Sequence, residues 1–428
     1  MVGVDKFGPL ANGPYRLLWI SRTASGIGDA LMPVTVVFAV IHAGGSAADV
    51  GSVLAVSTIV RVSLLLIGGV LADRLPRRLL LLGGDGFLAV LHGTVGLLLL
   101  SGHTSVGLIL TASALFGAAS SISKPALTGL VPQLAPRDKL QQANALMGMS
   151  ANASRMFGPA LAGGLVALSG PPWGYLIDAA SFVVSAACLA FLRVPRSARR
   201  ERTHFLDDLT HGWRELRMRR WYWITLIFHA VWNFSICPLF VLGPIIFASK
   251  QGSALNWGLI STGLAVGALL GGIIALRWRP RRPLVVGHLA LGLTAFELLA
   301  LIGPMPVMVV AAAAVVGSAG MTYINEVWDT TVQQVIPETV ISRVSSYEAL
   351  ISVVIMPMGY AATGPVAERL GDTPTLLGAA TLILLSTGAL ILVPEIRQVR
   401  QQRDGLIVCP PSMAPKNDPA PQATEVAV

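Results

Sequence analysis

Long apolar stretches, each broken by glycine, proline or clustered charge, follow one another along almost the whole 428-residue chain. Most are near or above the ~20 residues that a membrane-crossing helix needs. Read with boundaries set by charge and proline, the pattern predicts twelve helices. Six precede a basic stretch, at 15–41, 49–72, 79–100, 106–131, 140–168 and 173–192. Six follow it, at 221–248, 255–276, 284–302, 307–336, 341–370 and 375–393. The expected fold is an all-α membrane protein with two six-helix bundles, 1–192 and 221–394. A basic linker, 193–220, joins them, and a disordered cytoplasmic tail, 395–428, follows. In the linker, Phe205, Leu209, Trp213 and Leu216 recur at helical spacing. That stripe suits a helix lying on an anionic leaflet, and equally an ordinary solvated helix.

The two halves repeat. Gly68 to Arg78 closes one apolar stretch, and Gly271 to Arg282 does the same later, at 271 − 68 = 203 and 281 − 77 = 204. Asp29 and Pro33 correspond to Asn233 and Pro238, and Gly158-Pro159 to Gly364-Pro365. Internal repeats of hydrophobic halves mark secondary transporters.

Composition agrees. Charged residues make up 12% of the chain, against about 25% in soluble domains. The net charge of +9 comes from 31 Lys and Arg. Of these, 25 fall in the termini, alternate loops and adjoining helix ends on one side, two (Lys250 and Arg369) at the other side, and four (Arg22, Arg61, Lys124 and Arg155) well inside helices: 25 + 2 + 4 = 31. The asymmetry places both termini and the linker in the cytoplasm of a bacterial inner membrane. It argues against nucleic acid as a partner. Cys188, Cys237 and Cys409 lack disulfide or zinc spacing, and the first apolar run, interrupted by Arg22 and Asp29, reads as a retained span.

The segment from Gly69 to Arg78 resembles the loop between helices 2 and 3 of the major facilitator superfamily. Leu18-Trp19-Ile20-Ser21-Arg22 with Gly28-Asp29, Ala143-Asn144-Ala145-Leu146, Gly158-Pro159-Ala160-Leu161-Ala162-Gly163 and Asp178-Ala179-Ala180-Ser181-Phe182 resemble its enterobactin-exporter and macrolide-efflux branch. The resemblance implies that helices 1, 4, 7 and 10 line a central path.

Ionisable groups inside spans are expensive and usually have a partner or a role. Arg22, Arg61, Lys124 and Arg155 stand against Asp29, Asp178, Glu297, Glu326, Asp329 and Glu348, which leaves two carboxylates without a cation. A carboxylate without a partner in low dielectric holds its proton, as a proton-coupled carrier requires. Asp29, about 14 residues into helix 1, lies near the midplane. It is expected to be the coupling acid, with Arg155 as its partner; a static pair between helices 1 and 5 is the alternative. Glu326 and Glu348, with Arg61 as their most reachable cation, are expected to form a second proton site or a substrate contact. Glu297, on peripheral helix 9, is expected to be structural, and Asp178 to pair or snorkel.

Lys124 and Asp329 lie at matching depth in helices 4 and 10 and are expected to meet as a cytoplasmic gate, unless each pairs within its own half. Asp73, Arg74, Arg77 and Arg78 suit a conformational latch, or plain anchoring of the loop. Gly158, Pro159 and Gly163 resemble the helix 5 pattern of exporters, with one residue more than the usual spacing, and also suit ordinary packing. Trp232, Phe234, Phe240, Trp257, Met321, Tyr323 and Trp328 suit either a cavity lining or a lipid-facing belt.

No nucleotide-binding loop, metalloprotease motif or nucleophile elbow occurs, so neither an enzyme nor ATP-driven transport is expected. The expectation is a monomeric carrier without cofactors that exports a small amphipathic compound, antibiotic-like or siderophore-like, driven by the proton gradient. An importer, a lysolipid flippase of the same fold and a non-translocating sensor are the rivals.

Overall fold

A computed structural model describes residues 8–135, 139–194, 219–250, 254–336, 338–402 and 407–408. The first half holds α1 (Gly13–His42), α2 (Ala47–Arg74), α3 (Arg77–Leu100), α4 (Val106–Leu134), α5 (Leu140–Ser169) and α6 (Pro171–Phe191). The second holds α7 (Arg220–Ser235), α8 (Cys237–Lys250), α9 (Ala254–Arg277), α10 (Pro283–Gly292), α11 (Thr294–Ala300), α12 (Val307–Val335), α13 (Glu338–Leu370), α14 (Asp372–Leu392) and the short α15 (Pro394–Gln398). Three helix starts, those of α1, α2 and α4, are capped by side chains. Ser46 and Asp49 form a capping box on α2, and Ser105 accepts from the Leu108 N–H of α4. On the face opposite the N-terminus, five tight connections turn through Gly44, Gly102, Gly170, Gly303 and Gly371, whose φ of +75° to +91° disfavours any side chain.

Predicted helix ends differ from observed ones by at most three residues, as at Ile341 against Glu338 and Val131 against Leu134. Two predicted helices are broken. The stretch at 221–248 divides at Ile236, because Pro238 has no N–H to give the Phe234 carbonyl four residues back. The stretch at 284–302 divides at Leu293, where the Thr294 hydroxyl turns back to Leu291 O and receives the Trp232 indole N–H. Ten described helical stretches are long and apolar enough to cross a membrane. The polar α5, with Gln141, Gln142, Asn144, Asn152 and Arg155, and α13 are not among them.

The tail expectation needs correction. Residues 395–402 and 407–408 are ordered: Ile396, Val399 and Ile407 are buried against Trp221, Tyr222 and Trp328, and Arg400–Gln401 pairs antiparallel with Ile407–Val408. The Gln401 N–H bonds Arg281 O, and the Ile407 N–H bonds Gln334 Oε1. Apolar side chains at 396, 399 and 407 explain this order. The linker stripe at 205–216 and the tail from 409 lie outside the described residues.

Packing follows the repeat. Gly68 of α2 lies on the Ser121 backbone of α4 and Gly117 of α4 on the Ser57 backbone of α2, as Gly263, Gly267 and Gly271 bring α9 against α12 at Ala311, Val315 and Ala319. The halves meet on the face away from the N-terminus. There Gly163 lies on Gly258, Gly51 on the Tyr360 carbonyl and Gly364 on Ala48. One buried apolar cluster joins Val34, Val37 and Phe38 of α1 to Val241, Leu242 and Ile246 of α8.

Candidate functional site

Toward the opposite, basic face the halves part around a cavity of about 1100 Å³. Both bundles line it. Asn152, Arg155 and Phe157 come from α5, Leu269, Ile273 and Leu276 from α9, and Glu326, Thr330 and Gln334 from α12. Trp278 and Arg279 of the next connection stand at its rim, with Gln401 and Ile407 of the folded-back tail. The site therefore joins Arg155 and Glu326 on facing helices, with Arg279 beside them, to large apolar surfaces. A volume at the upper end for drug-sized ligands accepts a bulky organic molecule.

A second constellation is built inside the first half. Arg22 of α1 forms an ion pair with Asp85 of α3, whose side chain is 1% exposed. Ser185 of α6 donates to the same Asp85 oxygen at 2.6 Å and accepts from Arg22 at 2.7 Å. Ser21 completes the ring through a 2.7 Å contact with Ser185. One level further, His92 Nδ1 lies 2.5 Å from Asp178 of α6, inside a cage of Phe116, Tyr175 and Phe182. Buried ions survive only when paired and hydrogen-bonded, as these are. Asp29 borders this network. It is exposed, and the charges acting on it are those of Asp178, Arg22 and Asp85. Its neighbours fix its place: Gly28 lies against Asp178 and Ser181, and Ala30 against Gly158 of α5.

The second half answers with histidines. His288 of α10 repeats Asp85 at 288 − 85 = 203, and His229 of α7 lies one turn beyond Leu226, the counterpart of Arg22 at 226 − 22 = 204. Their rings stack at 5.3 Å with the two Nε2 atoms 3.3 Å apart. His288 Nδ1 donates to Leu284 O at 2.6 Å, so its Nε2 accepts from His229. Trp328 closes on His229 at 5.3 Å. Glu297 of α11 is buried against Gly317, and among the described residues its Oε1 has no hydrogen-bond partner.

The expected pairs rearrange. Arg155 and Glu326 share the cavity, whereas Asp29 is not among the described residues lining it. Arg155 is not brought to Asp29: Ser154 and Gly158 turn toward α1, and Arg155 points to the cavity side of α5. The Arg61 charge acts on Tyr360 of α13, and Arg61 is not among the described residues lining the cavity that Glu326 lines. Asp178 pairs with His92. Asp329 is exposed on α12. Arg78 binds the Leu189 and Ala190 carbonyls at the end of α6, at 2.7 and 2.5 Å, which suits the negative end of that helix. Arg77 is half-buried at the start of α3. The side chains of Asp73, Arg74, Lys124 and Glu348 lie outside the described residues. Gly158 packs on Ala30 within its half, Gly163 on Gly258 across halves, and Pro159 carries the carbonyl that approaches Gly258. Of the aromatic candidates, Trp232, Trp257 and Trp328 are buried in apolar clusters, and Tyr323 is buried with its ring against Trp278. Asp85 and His92 were missed, although Asp85 sits mid-span and was legible as a seventh acid.

Comparison with known proteins follows the same line. A family model described as transmembrane secretion effector matches residues 4–410. The multidrug efflux pump Tap of Mycolicibacterium fortuitum is 24% identical, over 90% of this chain and 97% of that protein. The enterobactin exporter EntS of Escherichia coli O1:K1 is 26% identical, over 79% of this chain and 81% of that one. A bacterial homologue of the human lysosomal transporter Spinster, solved inward-facing and unoccupied, superposes with a TM-score of 0.68 at 15% identity, covering 89% of this chain and 93% of that one.

Proposed function

The chain belongs to the transmembrane secretion effector family, an efflux branch of the major facilitator superfamily, and on that premise we propose that it exports a bulky amphipathic organic compound in exchange for protons. It is a multi-pass membrane transporter, not an enzyme. The observation that carries the export reading is the 1100 Å³ cavity, lined by both halves and opening on the basic face. With the basic face cytoplasmic by the positive-inside rule, the cavity faces the cytoplasm and its far side is closed by glycine contacts. In this reading α5 and α13 also span the bilayer, making twelve spans, and the chain acts as a monomer.

Arg155 and Glu326 hold the polar parts of the cargo, and the apolar helix faces hold its body. Asp29 takes up and releases the coupling proton. Its support is its place beside the Arg22–Asp85 and His92–Asp178 pairs, because a charge gained or lost there changes the field on contacts that join three helices. Antibiotic-like and siderophore-like compounds fit the size and mixed polarity of the site. Accumulation of such compounds in inverted vesicles, with and without a pH gradient, tests the reading. Accumulation that needs the gradient and is lost in Asp29→Asn supports it. Uptake in the opposite sense, or binding without flux, would favour the importer or the sensor.

A further inference from the structure

We infer that the seam between α5 and α9 is a lateral doorway through which an amphiphile dissolved in the cytoplasmic leaflet enters the cavity. This rests on the proposal that the cavity is the cargo site and that the basic face is cytoplasmic. The two helices touch backbone to backbone at the end away from the N-terminus. A Cβ on Gly163 would lie 2.7 Å from Gly258 Cα and 2.8 Å from Ala254 O. Toward the basic face they part, and the cavity lies between them.

The edges of the gap are large and apolar. Phe157 on α5 is 56% exposed, and Leu269 and Leu276 on α9 are 53% and 77% exposed, while all three line the cavity. Exposed apolar surface of this extent marks a contact with membrane or an apolar ligand. A vestibule serving only water-soluble cargo would be stabilised by polar edges, because each Å² of apolar surface left in water costs about 25 cal/mol. The same lining holds Asn152, Arg155, Glu326, Thr330 and Gln334. The entrance therefore combines apolar edges with charge of both signs. That combination fits a molecule with an apolar body and a charged head.

The test uses the full chain in vesicles, with Cys188, Cys237 and Cys409 replaced and a bimane on Thr322→Cys, a position on α12 that lines the cavity. Two quenchers are compared: doxyl-labelled stearate, confined to the bilayer, and a water-soluble charged nitroxide. The expected result is saturable quenching by the stearate. It weakens at least roughly tenfold when Phe157→Asp and Leu269→Asp are combined, since a carboxylate at a lipid-facing position strongly opposes an acyl chain. Quenching by the water-soluble probe stays unchanged. If the charged edges prevent insertion, the same two positions are changed to cysteine and bridged with a bis-maleimide after reconstitution, with the same expectation. Stearate quenching indifferent to both treatments, or quenching by the water-soluble probe alone, overturns the doorway and leaves the cavity as the cargo site. Failure of both probes to reach Thr322 means that the cavity is closed, and it removes the export reading together with this one.

Discussion

Replacing Gly163 by alanine tests whether the closed far side is one arrangement of a moving pair of bundles. The new methyl would sit 2.7 Å from Gly258 Cα, where ordinary carbon contacts are about 3.5–4.0 Å. The helices must therefore separate by about 1 Å at that point. Overpacking of this kind costs about 1–3 kcal/mol. The penalty exists only while the far side is closed, so the equilibrium moves toward the opposite opening by roughly 5- to 150-fold. Gly164 supplies the control, because a Cβ there meets nothing within 4 Å; Gly164→Ala keeps the gain in helix propensity without the clash. The assay is labelling of Val34→Cys, 1% exposed in the cluster that joins the halves, by an impermeant maleimide applied from the far side in a cysteine-free background. Gly163→Ala is expected to speed labelling by that factor, and Gly164→Ala to leave it unchanged. Equal rates in a folded Gly163→Ala protein would falsify the idea that this contact belongs to one state.

Other outcomes follow from the same contacts. Arg22→Ala leaves Asp85 buried with only hydroxyl support, and is expected to destabilise the first half by about 3–5 kcal/mol on SDS titration; adding Asp85→Ala should recover part of that loss. Asp29→Asn should preserve folding and cargo binding while making efflux indifferent to the pH gradient, and an unchanged response in vesicles would exclude it as the coupling acid. Arg155→Gln should weaken cargo binding measured by equilibrium dialysis without changing stability, because its side chain faces the cavity and is exposed. Ending the chain after Val393 removes Ile396, Val399 and Ile407 from the cluster around Trp221 and Trp328. Each buries about 1.5–3 kcal/mol of apolar stabilisation, so the shortened protein should unfold at distinctly lower temperature in detergent.

Helix positions were legible because hydropathy, charge and proline act locally, and a span announces its own ends. The break at Ile236 was also written in the chain, in Pro238, but a continuous apolar run concealed it. Partnerships across helices were harder to read. Asp29 and Arg155 stand at similar depth, yet depth does not fix the face: Ser154 and Gly158 look toward α1 while Arg155 looks away. The Arg22–Asp85 and His92–Asp178 pairs join residues 63 and 86 positions apart. Counting mid-span charges could have included Asp85. Treating histidine as ionisable could have added His92, and the repeat would then have led from Asp85 to His288. The order of residues 395–402 and 407–408 was hidden because a few apolar side chains outweighed a polar setting.

The contacts that close the far side have a kinetic consequence. At Gly163–Gly258, Gly51–Tyr360 and Gly364–Ala48, what touches is main chain or the smallest side chain. When such surfaces come apart, few rotamers are freed, and when they rejoin few must be frozen, whereas ordering one long side chain costs up to about 2 kcal/mol of conformational entropy. The bundles can then separate with little side-chain reorganisation at these three joints, which leaves the pace of far-side opening to be set elsewhere.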